Sequence, residues 1–251
     1  MNTRPPVVDD RVCLFTGFGG LGDNLMFSTL PERFAEIGKD FYIYKKNPFR
    51  NNEIKELVWD MNPYVKGYDT SPNIGFQRTG NPYIPKADNQ IKSVEIHHGF
   101  EPKNEYGKIY YEPKELSDLE DKVIIDCSVI TRSRDYPPSI RNKLIELAQK
   151  KHKSSDIVLL GYDESISSQN TDYDLKVDSI YHLCDIITSC AHYISLHSGG
   201  NYLACSLVKD TKMTELTCFI GEGTFNMLWH NGNQALFQNC TYVTVGKNGT
   251  V

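Results

Sequence analysis

The chain has 251 residues, with 27 Lys+Arg against 32 Asp+Glu, a formal net charge of −5, and 39% hydrophobic against 24% charged residues. That length holds one large domain or two of ordinary size, and the apolar runs along it exclude global disorder. Net acidity disfavours a protein whose main task is gripping nucleic-acid phosphates. No stretch approaches the roughly 18 apolar residues needed to span a bilayer, and Met1 to Arg11 lacks the apolar core of a secretory signal.

In chain order, Val12 to Thr16 reads as a buried strand followed by Gly-rich punctuation. Asn24 to Gly38 carries Met26, Leu30, Phe34 and Ile37 at helical spacing, and Pro31 predicts a kink or two short helices, with the proline in a first turn. Phe41 to Tyr44 is a strand and Asn52 to Trp59 a short helix. Tyr64 to Tyr68 and Ser93 to Ile96 are further strand candidates. Between them, 69–90 is rich in Pro, Gly and Asn and is predicted to be a long loop. The polar run Glu112 to Asp121 precedes a new strand, Val123 to Cys127. Pro138 opens a helix with Ile140, Leu144, Leu147 and Ala148 on one face, and Ile157 to Leu160 is a strand ending at Gly161. Ser179 to Thr188 is helical, His192 to Leu196 a strand, Gly199 to Leu207 a helix, and Thr217 to Ile220 and Thr241 to Val245 are strands. Alternating strands and helices predict parallel sheets with right-handed crossovers. The expected architecture is α/β: two Rossmann-like domains, 1–115 and 116–251, facing across a cleft.

Seven cysteines, none in a C-x-x-C pair, read as buried free thiols of a reducing compartment. No zinc-ligand spacing links the histidines, so no metal site is expected.

Two glycine turns carry the chemistry. Gly17, Gly19 and Gly22 match G-x-G-x-x-G after the first strand, a turn that lets a ligand approach backbone N–H groups at a helix start. Lys45 and Lys46 stand where a dinucleotide site wants an acid, which leaves an NADP-linked oxidoreductase as one reading. Asp23 lies at the predicted helix start, as an N-cap or as a carboxylate facing a cleft. The second turn, His197-Ser-Gly-Gly-Asn, follows a strand and opens a helix. The N–H groups of Ser198, Gly199, Gly200 and Asn201 are expected to form an anion site there. Thr131, Arg132 and Arg134 follow the first strand of this half, and Gly161 and Tyr162 end the next one. All are expected on the same sheet edge, the arginines facing phosphates and Tyr162 stacking on a nucleoside, with Asp163 or Glu164 on the ribose. His97 and His98, beside Gly99 at a predicted strand end, are candidates for acceptor binding. Asp172-Tyr-Asp174 matches a metal-binding D-x-D but sits in a polar run and reads as a solvated loop.

Taken in order, these blocks resemble the glycosyltransferase family that contains the bacterial heptosyltransferases, family 9, which has the GT-B fold. Gly19-Gly-Leu-Gly-Asp-Asn-Leu-Met-Phe-Ser-Thr-Leu-Pro is similar to its N-terminal Gly-Asp…Thr-x-Pro block. Val123 to Arg134, Leu159-Leu-Gly-Tyr-Asp-Glu, Ser195-Leu-His-Ser-Gly-Gly-Asn-Tyr-Leu-Ala and Cys218-Phe-Ile-Gly-Glu-Gly-Thr resemble its later blocks. His197 stands where the family has Asp. The resemblance implies a metal-independent, inverting transfer of a sugar from a nucleotide-diphosphate sugar, a co-substrate rather than a cofactor. It places Asp23 on the catalytic carboxylate and Ser198 and Gly199 on the diphosphate turn; Gly20, Gly22 and Asn24, beside Asp23, are expected to bind the acceptor. The acceptor is left open: a glycan, a lipid-linked sugar, a small molecule or a modified base in DNA, toward which Lys45, Lys46, Arg50 and Lys55 form a basic stretch. A cytoplasmic location, or one against the inner face of a membrane, is expected. A nucleotide-binding protein without catalysis is the third reading.

Overall fold

The computed structural model describes residues 10–75, 89–128, 136, 139–162, 173–208, 214–225 and 237–246. The chain divides into two compact units, Met1–Tyr111 with Gly232–Ala235, and Glu112–Asn231 with Leu236–Val251.

The first unit carries a four-stranded parallel sheet. Its strands are β1 (Arg11–Phe15), β2 (Asp40–Tyr44), β3 (Val65–Asp69) and β4 (Ile74–Gly75), in the order β3-β2-β1-β4. The predicted break at Pro31 is present: α1 (Leu21–Phe27) and α2 (Leu30–Glu36) are separate helices, with Pro31 in the first turn of α2, where its missing N–H costs nothing. Leu25, Phe27, Leu30 and Phe34 of these helices and Val12, Leu14, Phe41 and Ile43 of the sheet are all buried, and the Phe34 and Phe41 rings meet at 5.6 Å. Asn51 caps the short helix α3 (Asn52–Lys55) by accepting from the Ile54 amide at 2.9 Å. A π-helical turn, Glu56–Asp60, follows and drives Trp59 fully into the core.

Ser93 to Ile96 is not a strand. It lies inside α4 (Gln90–His97), whose Asn89 side chain accepts from the Lys92 amide at 2.9 Å. The apolar pair Ile91 and Val94 falls at helical spacing and is buried, and Glu95 is buried as well, its carboxylate accepting from the Lys103 amide at 2.7 Å and the Asn104 side chain at 2.6 Å. The fourth strand comes instead from the predicted loop. β4 is seated on β1 by Asn73, whose side chain accepts from the Cys13 amide and donates to the Arg11 carbonyl, both at 2.8 Å.

The second unit has a six-stranded sheet built from β5 (Val123–Asp126), β6 (Ile157–Gly161), β7 (Leu175–Lys176), β8 (His192–Leu196), β9 (Glu215–Gly221) and β10 (Thr241–Val245). The order is β10-β9-β8-β5-β6-β7 and every pair is parallel. β5 and β8 are buried along their whole length, as central strands of a sheet covered on both faces are. Ile140, Leu144 and Ala148 of α5 (Ile140–Gln149) pack on Val123, Ile125, Ile194, Leu196, Phe219 and Val245. Full burial of one such leucine contributes about 1.5–3 kcal/mol. α6 (Ile180–Ser189) starts at the Ser179 cap, and α7 (Gly199–Leu207) at the Ser198 cap. The parallel α/β architecture expected from the sequence is therefore present in both units.

At the amino-terminal edge of this sheet, His192 is buried between His152, 3.3 Å from its Nδ1, and the Thr217 hydroxyl, 2.9 Å from its Nε2. Burial holds the imidazole below its ordinary pKa. Glu215 opposes that shift, and His152 and Lys151 add to it. The unfolded chain thus takes up this proton first as pH falls. The stability at stake is complete above about pH 6.5 and is lost as the pH drops from there toward the folded-state value. Urea unfolding is expected to give a lower midpoint at pH 5.5 than at pH 7, with a shallower drop in a His192→Gln variant. An identical drop in both proteins would clear His192 of the effect.

Candidate functional site

In the first unit, the glycine turn lies directly on the segment that follows β2. The Arg50 amide donates to the Gly19 carbonyl at 3.0 Å, and Asn47 Oδ1 accepts from the Thr16 amide at 3.0 Å. A Cβ on Gly19 would come within 2.1 Å of the Pro48 carbonyl oxygen, so no side chain fits there. Gly17 has φ +71°, the left-handed region that favours glycine.

α1 begins at Leu21, three residues before the predicted start, so Asp23 lies within its first turn and Gly20 holds the cap position. The N-cap reading of Asp23 is thereby corrected. Its carboxylate leans over Gly20: a Cβ there would meet Asp23 Oδ2 at 2.6 Å and Arg50 Nη2 at 3.9 Å. A partly buried acid in a first turn is where the helix dipole favours negative charge. Arg50, read from sequence only as part of a basic stretch, is thus a neighbour of the candidate base.

Asn24 is fully buried. Its amide donates to the Gly20 carbonyl at 2.8 Å and its oxygen accepts from Trp59 Nε1 at 2.8 Å. The side chain braces the turn from inside the core. Gly22 is partly exposed beside Asp23, and Gly20 is buried. His97 and His98 close α4, a helix end rather than the predicted strand end. The His98 ring meets Phe27 edge to face at 6.4 Å, one turn beyond Asp23 on α1, and His97 at 5.1 Å.

In the second unit, side chains from β8 and from the residue after β6 converge on the end of β5, on a residue that sequence reasoning passed over. Asp126, 1% exposed, ends β5. It accepts from the Ser128 amide (2.8 Å), the Ser128 hydroxyl (2.6 Å), the Tyr162 hydroxyl (3.0 Å) and the Tyr193 hydroxyl (2.6 Å). Burial, reinforced by Asp126, pushes both phenols well above their ordinary range. A Cβ on Gly200 would lie 3.0 Å from Asp126 Oδ2 and 3.2 Å from the Tyr193 hydroxyl, so the first turn of α7 sits against this network. The available signal was an acid closing an apolar run.

The predicted turn residues Ser198, Gly199, Gly200 and Asn201 do open α7, but not all as expected. The Ser198 hydroxyl accepts from the Gly200 amide at 3.2 Å, which engages one of the N–H groups assigned to an anion. The Asn201 side chain, 1% exposed, points inward and accepts from the Tyr242 hydroxyl at 3.3 Å. Tyr162 is 8% exposed, its hydroxyl fixed on Asp126, and the Tyr173 ring covers Gly161, where a Cβ would approach it to 2.1 Å. Thr131, Arg132 and Arg134, together with Asp163, Glu164 and Asp172, lie outside the described residues. The residues flanking the basic segment are placed, however. Ser128 is held by Asp126, and the Tyr136 hydroxyl donates to the Phe219 carbonyl at 2.8 Å while accepting from the His197 amide at 3.1 Å. Asp174 holds the edge of β6, its carboxylate accepting from the Leu159 amide at 2.9 Å. Among the described residues no three His, Cys, Asp or Glu side chains group to hold a metal ion, and no helix is long and apolar enough to cross a membrane.

No protein family and no curated protein matches the sequence. Solved structures do match the fold. A family 9 glycosyltransferase from Veillonella parvula superposes with a TM-score of 0.58 at 10% identity, over 94% of this chain and 86% of that one. The E. coli heptosyltransferase WaaC with ADP gives 0.52 at 11% identity, over 95% and 94%. The dodecameric iron-containing heptosyltransferase TibC in complex with ADP-D-beta-D-heptose gives 0.59 at 11% identity, over 92% of this chain but 62% of that one. The chain thus shares the fold of GT-B glycosyltransferases, as the ordered sequence blocks implied.

Proposed function

We propose that this protein transfers a sugar from a nucleotide-diphosphate sugar to an acceptor hydroxyl. The observation that carries the reading is the match along nearly the whole chain, in both directions, to glycosyltransferases solved with ADP or without it. The first unit would take the acceptor and the second the donor. Asp23 would accept the acceptor's proton as its oxygen attacks the anomeric carbon, with inversion. The start of α7, with Ser198 and Gly199, and the arginines of the 131–134 segment would stabilise the charge developing on the leaving diphosphate without requiring a metal. Two features support this donor site: the α7 start rests on Asp126, and the residues flanking Arg132 and Arg134 both touch the same sheet edge.

ADP is the first nucleotide to try, because WaaC and TibC were solved with ADP and with an ADP-heptose. Saturating ADP, at about 100 times its Kd, is expected to stabilise the chain by about 2.7 kcal/mol, read as a thermal shift against a panel of UDP, GDP, CMP and NADPH. Incubation with a nucleotide-sugar panel and mixed acceptors should then release the matching nucleoside diphosphate, detected by mass spectrometry. A shift with NADPH alone would replace the transferase by an oxidoreductase. Diphosphate binding without turnover across a broad acceptor panel would leave a binding protein.

A further inference from the structure

All seven cysteines are free thiols. Two of them meet at the far side of α7. Cys205 is fully buried on that helix, and Cys240, half-buried, immediately precedes β10. Cys240 lies near enough to help raise the Cys205 pKa. One amide group touches both: Asn201 Nδ2 lies 3.8 Å from Cys205 Sγ and 3.5 Å from Cys240 Sγ. Their backbones are tied as well, because the side chain of Asn239, next to Cys240, donates to the Cys205 carbonyl at 2.9 Å. We propose that Cys205 and Cys240 form an oxidisable dithiol, a site of reversible disulfide modification by peroxides. The proposal stands apart from the glycosyl-transfer reading, and its test reads thiols alone.

The two sulfurs have unequal access, and this sets their order of reaction. Cys240 is the one an oxidant reaches. Its sulfur attacks the O–O bond of hydrogen peroxide, giving a sulfenic acid and water. Cys205 then attacks that sulfur, the S–O bond breaks, and the hydroxyl leaves as a second water with the Cys205 proton. In sum, two thiols lose two electrons and two protons to the peroxide, and the S–S bond closes to about 2.05 Å. Burial, then the nearby Cys240, holds the Cys205 thiol well above its ordinary pKa, which slows the second step. Exchange with a small thiol reverses the bond. The closed form would link β10 covalently to the helix whose first turn is Ser198 to Asn201.

The experiment treats the full-length protein with hydrogen peroxide, blocks remaining thiols under denaturing conditions, and maps peptides by mass spectrometry. The expected result is loss of two of the seven thiols, a cross-link joining the Cys205 and Cys240 peptides, and recovery with dithiothreitol. Cys240→Ser should keep all its remaining thiols at the same dose. Cys205→Ser should instead trap a sulfenic acid on Cys240, labelled by dimedone. Retention of all thiols in the unmutated chain, or a cross-link that omits either residue, overturns the proposal. Should Cys205→Ser fail to fold, the peptide map and the Cys240→Ser arm decide it.

Discussion

Asp23→Asn is expected to lower glycosyl transfer by about 10²–10⁴-fold while ADP still binds. The substitution keeps the shape of the side chain and removes its ability to take a proton. It also removes negative charge from the first turn of α1, an effect of only about 0.3–1 kcal/mol on the helix. The fold should therefore survive, and the loss should appear in kcat rather than in donor affinity. Single-turnover assays alongside calorimetric ADP titration separate the two. Near-normal turnover would remove Asp23 from the base role. Loss of ADP binding would show that the turn shapes the donor site and not only the acceptor side.

A second large effect is expected at Asp126, and it is one of stability. Asp126→Ala strips the acceptor from the Tyr193 hydroxyl, on a residue 1% exposed, and from the Tyr162 hydroxyl, on a residue 8% exposed. A buried donor left without a partner costs about 1–3 kcal/mol, so the variant should lose about 2–5 kcal/mol in urea unfolding. That is a large share of the roughly 5–15 kcal/mol that holds a typical domain folded. Tyr193→Phe, which deletes one donor and leaves the carboxylate three others, should cost far less. A loss below about 1 kcal/mol in Asp126→Ala would mean that water reaches the network and satisfies it.

The parallel architecture was legible because fully buried strands are written as apolar runs: Val123 to Asp126 and His192 to Leu196 admit few other readings. The break at Pro31 was legible for the same reason of local chemistry. The Ser93 segment was not, because Val94 and Ile96, two apart, show a strand period, while Ile91, the helical partner of Val94, lies outside those four residues. The Asn89 cap that decides between them lies outside that window. β4 was hidden because its pairing depends on the Asn73 side chain rather than on an apolar run. In the candidate sites, the glycines and Asp23 announced themselves by type. Their surroundings did not: Arg50 reaches the turn from 30 residues downstream, and Asp126 collects hydroxyls from Tyr162, just after β6, and Tyr193, within β8. Asn24 was expected to serve the acceptor and Asn201 the phosphates, yet each side chain is buried with a partner that only the tertiary fold supplies, Trp59 for one and Tyr242 for the other.

The strand orders β3-β2-β1-β4 and β10-β9-β8-β5-β6-β7 also fix how the molecule can be assembled as it leaves the ribosome. In each sheet the first strand synthesised lies in the interior. β2 and then β3 extend one side of β1 before β4 takes the other, and β6 and β7 extend one side of β5 before β8, β9 and β10 are laid in turn on its opposite side. Among the described residues, each new strand therefore docks onto an edge that already exists, and neither sheet has to open to admit a latecomer. All four strands of the first sheet lie within residues 11–75. At a synthesis rate of about 5–20 residues per second, that sheet has roughly 10 to 30 seconds to close before the last strand of the second one emerges.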